Sequence, residues 1–243
     1  MNMYAKGSIF GILLSFLISG FAYAAGPDGK ITKRSFHYNN YKFWRAGSIN
    51  APKIGSYGKK KKSTGIDIYD SISSKNIATK IKESGVYSIN FKSLKKAKVS
   101  IDKFKYAGVK GSGEVKQARQ KNAKLKLIHL TIDNGPLVKA LNKNKSAVSY
   151  LKKASARVVS SIWVVVSAQV ADMISTAGNL NVKYKGSKIN VSGSVGGSSK
   201  SASITSIPSG AIFAYMIDKI KWKKKGLKKV SIKDLEDDQV GLK

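Results

Sequence analysis

Val158-Val159-Ser160-Ser161-Ile162-Trp163-Val164-Val165-Val166 is the stretch that decides the fold. It is the most apolar part of the chain beyond the N-terminus, and Ala168, Val170 and Ala171 continue it. Its β-branched residues resist a helix and fill a pleated surface well, so it reads as a buried central strand. A strand buried on both faces needs neighbours, and the flanking sequence supplies them. On the C-terminal side, Leu180, Val182 and Tyr184 alternate with polar residues, as do Ile189, Val191 and Val195. Gly186-Ser187 joins the two runs, which predicts a hairpin. A Gly/Ser loop over 193–203 follows, then a last strand from Ile212 through Ile217 to Ile220 and Trp222.

On the N-terminal side, Asn134-Gly135-Pro136 is a sharp turn with Pro136 placed for a first helical turn. Leu137, Val138, Leu141, Val148, Tyr150 and Leu151 predict a helix, broken near Asn142–Asn144. Period-two alternation predicts strands over 86–92, 99–106 and 125–132. Ile77 and Ile81, four residues apart, predict a short helix over 73–83 that Gly85 ends. The fold class expected from these elements is α+β: a twisted antiparallel sheet with two or three packed helices.

Residues 1–24 read as a signal peptide. Lys6 precedes the apolar run Ile9–Phe21, and Ala22-Tyr23-Ala24 places small residues where signal peptidase cuts. The run is short of the ~20 residues that span a bilayer, and Gly26-Pro27 follows it. The chain is therefore expected to be exported, to the periplasm or beyond. Residues 25–64 read as a basic aromatic lead-in or arm, 65–225 as the α+β domain and 226–243 as a charged tail; the cluster Phe36, His37, Tyr38, Tyr41, Phe43 and Trp44 in the lead-in reads as a strand of the main sheet ahead of a surface for lipid headgroups or bases. There are no cysteines, so disulfides, thiolate metal sites and thiol nucleophiles are excluded.

Charge dominates the composition. Lys and Arg number 45 against 13 Asp and Glu, a net of +32. Solubility asks for a magnitude of only ~2–8, and the excess costs self-repulsion, which points to an anionic partner. The Lys59-Lys60-Lys61-Lys62 run reads as a solvated loop. It joins Lys95, Lys96, Lys223, Lys224 and Lys225 as the candidate anion-binding residues. Lysine binds phosphate as a point charge and lacks the bidentate fork of arginine, so lipid phosphate and other surface polyanions are expected ahead of nucleic acid. Asp234, Glu236, Asp237 and Asp238 follow the lysines and could fold back on a cationic face as a weak brake.

The sequence offers little for catalysis. His129 and Asp133 lie two steps apart on one strand face, ~13 Å, too far for a direct acid–base couple. The glycines at 108, 111 and 113 lack the lysine-threonine ending of a phosphate loop. No catalytic residue, cofactor or metal site is expected.

Ile207-Pro208-Ser209-Gly210-Ala211-Ile212-Phe213-Ala214-Tyr215 resembles the Pro-x-Gly-x-x-x-Ala-aromatic strand near the end of the gasdermin pore-forming domain. The order of buried strand, hairpin, loop and this strand is also similar. The resemblance implies binding to acidic lipid and insertion of amphipathic hairpins. Leu180, Val182, Tyr184, Ile189 and Val191 then form the candidate membrane-facing hairpin, with oligomers forming on the membrane. Gasdermins are cytosolic, with an inhibitory C-terminal part, whereas this chain carries a signal-like start.

Two functions follow. The first is an exported binder of anionic membrane or envelope lipid, acting as a membrane-perturbing toxin or effector. The second is a secretion or envelope docking module for an acidic protein or glycan, without enzymatic activity. The exported form is predicted to begin at Ala25; intact-mass measurement showing Met1 retained contradicts this.

Overall fold

The structure is a computed structural model that describes residues 30–32, 34–46, 51–62, 65–90, 124–166, 168–177, 179–185, 188–194, 203–208 and 212–238. The signal segment 1–24, Lys95, Lys96, the expected strand at 99–106 and the glycines at 108–113 lie outside the described residues.

The decisive stretch is a strand, β7 (Ala156–Val166), buried along almost its whole length. Its hydrogen bonds go to three antiparallel partners: β11 (Ile212–Lys225), β6 (Lys124–Ile132) and β3 (Ser56–Lys61). β6 takes Ser161–Val166 and β3 takes Ala156–Val158, so the two divide β7 lengthwise. Strand β11 is divided in the same way, between β2 (Tyr41–Arg45) at Ala214–Tyr215 and β12 (Lys228–Asp237) from Asp218 onward. With β1 (Ser35–Tyr38) beside β2, β4 (Gly65–Ser71) beside β3 and β5 (Ile81–Asn90) beside β6, the sheet has nine strands.

The sheet curls until its outer strands meet. Phe36 and Tyr38 of β1 touch Tyr87 of β5, with ring centroids 5.7 and 5.6 Å apart. Trp163 stands between them at 5.2 Å from Phe36 and 4.8 Å from Tyr38. Phe43, Phe213 and Leu127 complete this aromatic core. Alternate residues of β7 point the other way, so Ile162, Val164 and Val166 join a second, larger core. Helices α1 (Asn134–Lys143), α2 (Lys145–Leu151) and α3 (Ala168–Thr176) contribute to that core. A three-stranded sheet of β8 (Asn179–Lys185), β9 (Lys188–Ser194) and β10 (Ser203–Pro208) contributes too. The α+β class is as expected. The break between α1 and α2 falls at Asn144, whose side chain caps α2 through the amide of Ala147, 3.0 Å away.

Several expectations need correcting. Residues 73–83 are not a helix but two 3₁₀ turns, Ser74–Asn76 and Ala78–Lys80, after which β5 begins at Ile81. Ile77 and Ile81 are buried because the chain crosses the core there, and pairing of Ile81 with Ile132 wins over helical propensity. Gly85 lies within β5. The lysine run is not a loop: Lys59, Lys60 and Lys61 belong to β3. The boundary drawn between 64 and 65 falls inside the β3–β4 hairpin, while the aromatic cluster of the lead-in joins the main sheet, as its residues suggest, in β1 and β2. The boundary between 225 and 226 falls at the β11–β12 turn, so Lys228–Asp237 of the charged tail is also a strand of that sheet. Strand β12 is held further by Asn142 of α1, which accepts from Ile232 N and donates to Ile232 O, both at 2.9 Å.

Gly65 opens β4 with φ of +79°, and a Cβ there would lie 2.7 Å from the Trp44 ring and the Tyr215 hydroxyl. Gly65→Ala is predicted to cost about 1–3 kcal/mol through overpacking and strain, measured by chemical denaturation; an unchanged midpoint contradicts this packing.

Candidate anion-binding surface

Among the described residues, the lysines picked out by the sequence do not form one patch. Lys59 and Lys62 are exposed at the β3–β4 hairpin. Lys61 pairs with Asp67 at 2.8 Å, both about half exposed, a geometry worth ~0–1 kcal/mol. Lys60 turns inward. Lys223, Lys224 and Lys225 are exposed on a different hairpin, at the end of β11.

The inward lysine meets the acidic tail. Asp238 follows β12, and its carboxylate has no exposed surface. It accepts from Lys60 Nζ at 2.8 Å and from Arg157 Nε. Arg157 is fixed in turn by the carbonyls of Ala154 and Ala156. Burial alone would raise the Asp238 pKa, but the hydrogen bonds from Lys60 and Arg157 hold it below the ordinary carboxylate value. Asp238 therefore neutralises two cations inside the fold. A few ångströms of strand away, Asp218 is buried opposite Asp237 in the β11–β12 register. Burial pushes its pKa up to about 7, against a hydrogen bond from Ser160 and with the neighbouring Asp237 charge adding to the rise.

The cations left for a ligand are those that this network does not consume. Strands β11 and β12 run on beyond Asp218 as a two-stranded arm, turning at Gly226-Leu227 with Gly226 at φ of +60°. Lys223, Lys224, Lys225 and Lys228 are exposed on it, and Lys229 is half buried. Leu227 at its apex is wholly exposed and Val230 is more than half exposed. At the base of the arm a groove of about 160 Å³ is lined by Lys153, Arg157, Lys219 and Lys229, with Ile220 and Trp222 on its wall and no carboxylate among its lining residues. Lys229 Nζ bonds the carbonyl of Lys152 at 2.7 Å and lies 5.5 Å from the Trp222 ring centroid. Lys153 Nζ sits 4.3 Å over the Tyr150 ring.

Lys153, Arg157, Lys219, Trp222, Leu227, Lys229 and Val230 escaped the sequence reading. The one local signal was Leu227, a lone apolar residue between Gly226 and lysines. The groove had none, because it joins a helix end to strands far along the chain.

The candidate membrane-facing hairpin is real as a hairpin, but its apolar face is not at the surface. Val182, Ile189 and Val191 are completely buried in the larger core, and Leu180 and Tyr184 pack against it. The Tyr184 hydroxyl accepts from Ile54 N at 3.3 Å. Among the described residues no helix is long and apolar enough to cross a membrane.

His129 stacks on Trp163 at 4.6 Å and bonds Ser84 through Nδ1; burial holds its pKa down to about 4. His37 Nε2 bonds Ser35 Oγ at 3.0 Å. Among the described residues no three His, Cys, Asp or Glu side chains are grouped to hold a metal ion. No protein-family model, curated protein or solved structure matches the chain.

The two buried carboxylates titrate in opposite senses. Asp238, with its pKa lowered, stabilises the fold above the ordinary Asp value of ~3.9, and this is lost as pH falls through its lowered value. Asp218, with its pKa raised, favours the fold fully below ~3.9, and this is lost as pH rises towards about 7. Asp218→Asn is therefore predicted to raise Tm above pH 7 and to leave it nearly unchanged near pH 4. A pH-independent difference in melting curves contradicts the assignment.

Proposed function

We propose that the protein is an exported, non-enzymatic binder of anionic membrane or envelope lipid, and that the β11–β12 arm is its contact. The observation that carries this reading is the arm's end, where fully exposed Leu227 and exposed Val230 sit among Lys223, Lys224, Lys225, Lys228 and Lys229. Each lysine near an anionic headgroup layer adds about 1 kcal/mol, while burial of a leucine side chain adds ~1.5–3 kcal/mol. Neither term alone holds a protein on a bilayer for long, and the arm offers both at one point. An acidic protein or glycan would satisfy the lysines and leave Leu227 in water, which is why lipid is the favoured partner.

The perturbation of membranes implied by the gasdermin resemblance is a further step. It requires Val182, Ile189 and Val191 to leave the core, so binding precedes any leakage and can occur without it.

Vesicles of phosphatidylglycerol and phosphatidylcholine separate these steps. Co-sedimentation is expected on the anionic vesicles and to fall steeply as salt shortens the Debye length from ~10 Å at 0.1 M to ~3 Å at 1 M. Neutralising Lys223, Lys224 and Lys225 to Gln should weaken binding about a hundredfold at low salt, at about 1 kcal/mol per charge. Leu227→Asp should weaken it further at every salt concentration. Equal binding to phosphatidylcholine, or an unaltered affinity in both variants, sinks the proposal; dye release scored in the same tubes reports on permeabilisation separately.

A further inference from the structure

Diffuse charge explains attraction to any polyanion, but the groove at the base of the arm has the makings of a selective site. Four cationic side chains from three separated parts of the chain line it: Lys153 after α2, Arg157 on β7, Lys219 on β11 and Lys229 on β12. Their convergence is built by the fold and not by a lysine run. Two are already held in place. Arg157 is anchored by two carbonyls and by Asp238, and Lys229 by the carbonyl of Lys152. Lys219 has neither a hydrogen-bond nor an ion-pair partner among the described residues, although it stands opposite Glu236 in the strand register. Glu236 instead lies 3.7 Å from Lys221. Trp222 adds a half-buried ring beside these cations.

We propose that this groove binds a phosphomonoester group carried on a sugar or polyol, with the phosphate among Lys153, Lys219 and Lys229 and the carrier against Trp222. The proposal rests on the anionic-surface reading and names the headgroup that the surface selects. A phosphomonoester carries up to two negative charges and three terminal oxygens, which suits the ammonium groups of Lys153, Lys219 and Lys229, none of them paired with a carboxylate among the described residues, while Arg157 is already taken by Asp238. The groove's volume lies below the ~300–1,000 Å³ of sites for drug-sized ligands, so it suits a headgroup and not a whole lipid or a nucleotide chain. Trp222 and Ile220 give one apolar wall, as a sugar or polyol face requires.

Trp222 also supplies the readout, because Trp44 and Trp163 are buried and shielded from added ligand. Tryptophan fluorescence would be titrated with glucose 1-phosphate, and with glucose as control, at about 0.15 M salt, where exposed charges are screened beyond ~8 Å. A saturable change with glucose 1-phosphate and none with glucose is expected. The paired variant Lys219→Gln, Lys229→Gln should weaken it at least tenfold, while Lys59→Gln, Lys62→Gln, an equal change of charge on another hairpin, should leave it intact. Melting curves of both variants exclude misfolding as the cause. No saturation, or equal weakening in the two variants, overturns the groove as a site.

Phosphatidylglycerol vesicles, which carry only a phosphodiester, keep this test separate from the broader reading. If the groove fails and these vesicles still bind, the anionic-surface reading stands alone. Vesicles containing phosphatidic acid identify the source of the phosphomonoester. Release from them by free glucose 1-phosphate assigns the groove to a lipid headgroup. Saturable sugar-phosphate binding that leaves those vesicles attached assigns it to a soluble ligand.

Discussion

Strand β7 is buried along almost its whole length, so its backbone amides and carbonyls must find partners inside the protein. That requirement organises everything around it. One edge is satisfied by β11, and the other by β6 and β3 in succession. Sharing an edge between two strands forces them apart at the junction, and the sheet cannot stay flat. It curls, the aromatic side chains on one face close into a core, and the opposite face gathers the three helices and the smaller sheet. The alternation of Trp163 and Val165 against Ile162 and Val164 is what lets a single strand serve both cores.

A chain with net charge of +32 must also decide which cations to neutralise itself and which to leave for others. Lys60 and Arg157 lie on the strands that flank the end of β12, too close to the interior to stay hydrated. Asp238 meets them there. Removing one member of such a buried group leaves an uncompensated charge, typically a loss of about 3–5 kcal/mol, so Asp238 is structural. The same division of labour leaves the outer half of β11 and β12 without acids among Lys223–Lys229, and it is this half that faces solvent.

Sequence patterns local to one element were legible, and relations between distant elements were not. The β-branched run at 158–166, the alternation at 180–191 and the helix break near Asn144 each carry their signal within a dozen residues. Lys59–Lys61 misled because their counter-charges lie elsewhere: Asp67 across the hairpin and Asp238 at a separation of 178 residues. The Asn39-Asn40 turn, with φ of 46° and 65°, is a two-residue hairpin signal that divides the aromatic cluster of the lead-in between β1 and β2. Ile77 and Ile81 have the spacing of a helix and the burial of a core crossing, and only the pairing partner Ile132 tells the two apart. Of the candidate site, the lysines at 223–225 were visible as composition, while the groove depends on α2, β7, β11 and β12 arriving at one place.

Strand β12 pairs with β11 along one edge, and helix α1 meets its backbone at Ile232 and Leu235 through the side chains of Asn142 and Asn134, so what stays uncovered is the stretch Lys228–Ser231 near the turn. A short open edge still invites another strand, and natural sheets keep strangers away with lysine, as β12 does at Lys228. Repulsion between like-charged copies is a conditional safeguard. It holds in dilute solution and fails wherever a polyanion compensates those ammonium groups. On an acidic surface that safeguard would weaken, and the bonds from Asn134 and Asn142, which need no charge, would be left to keep the edge closed.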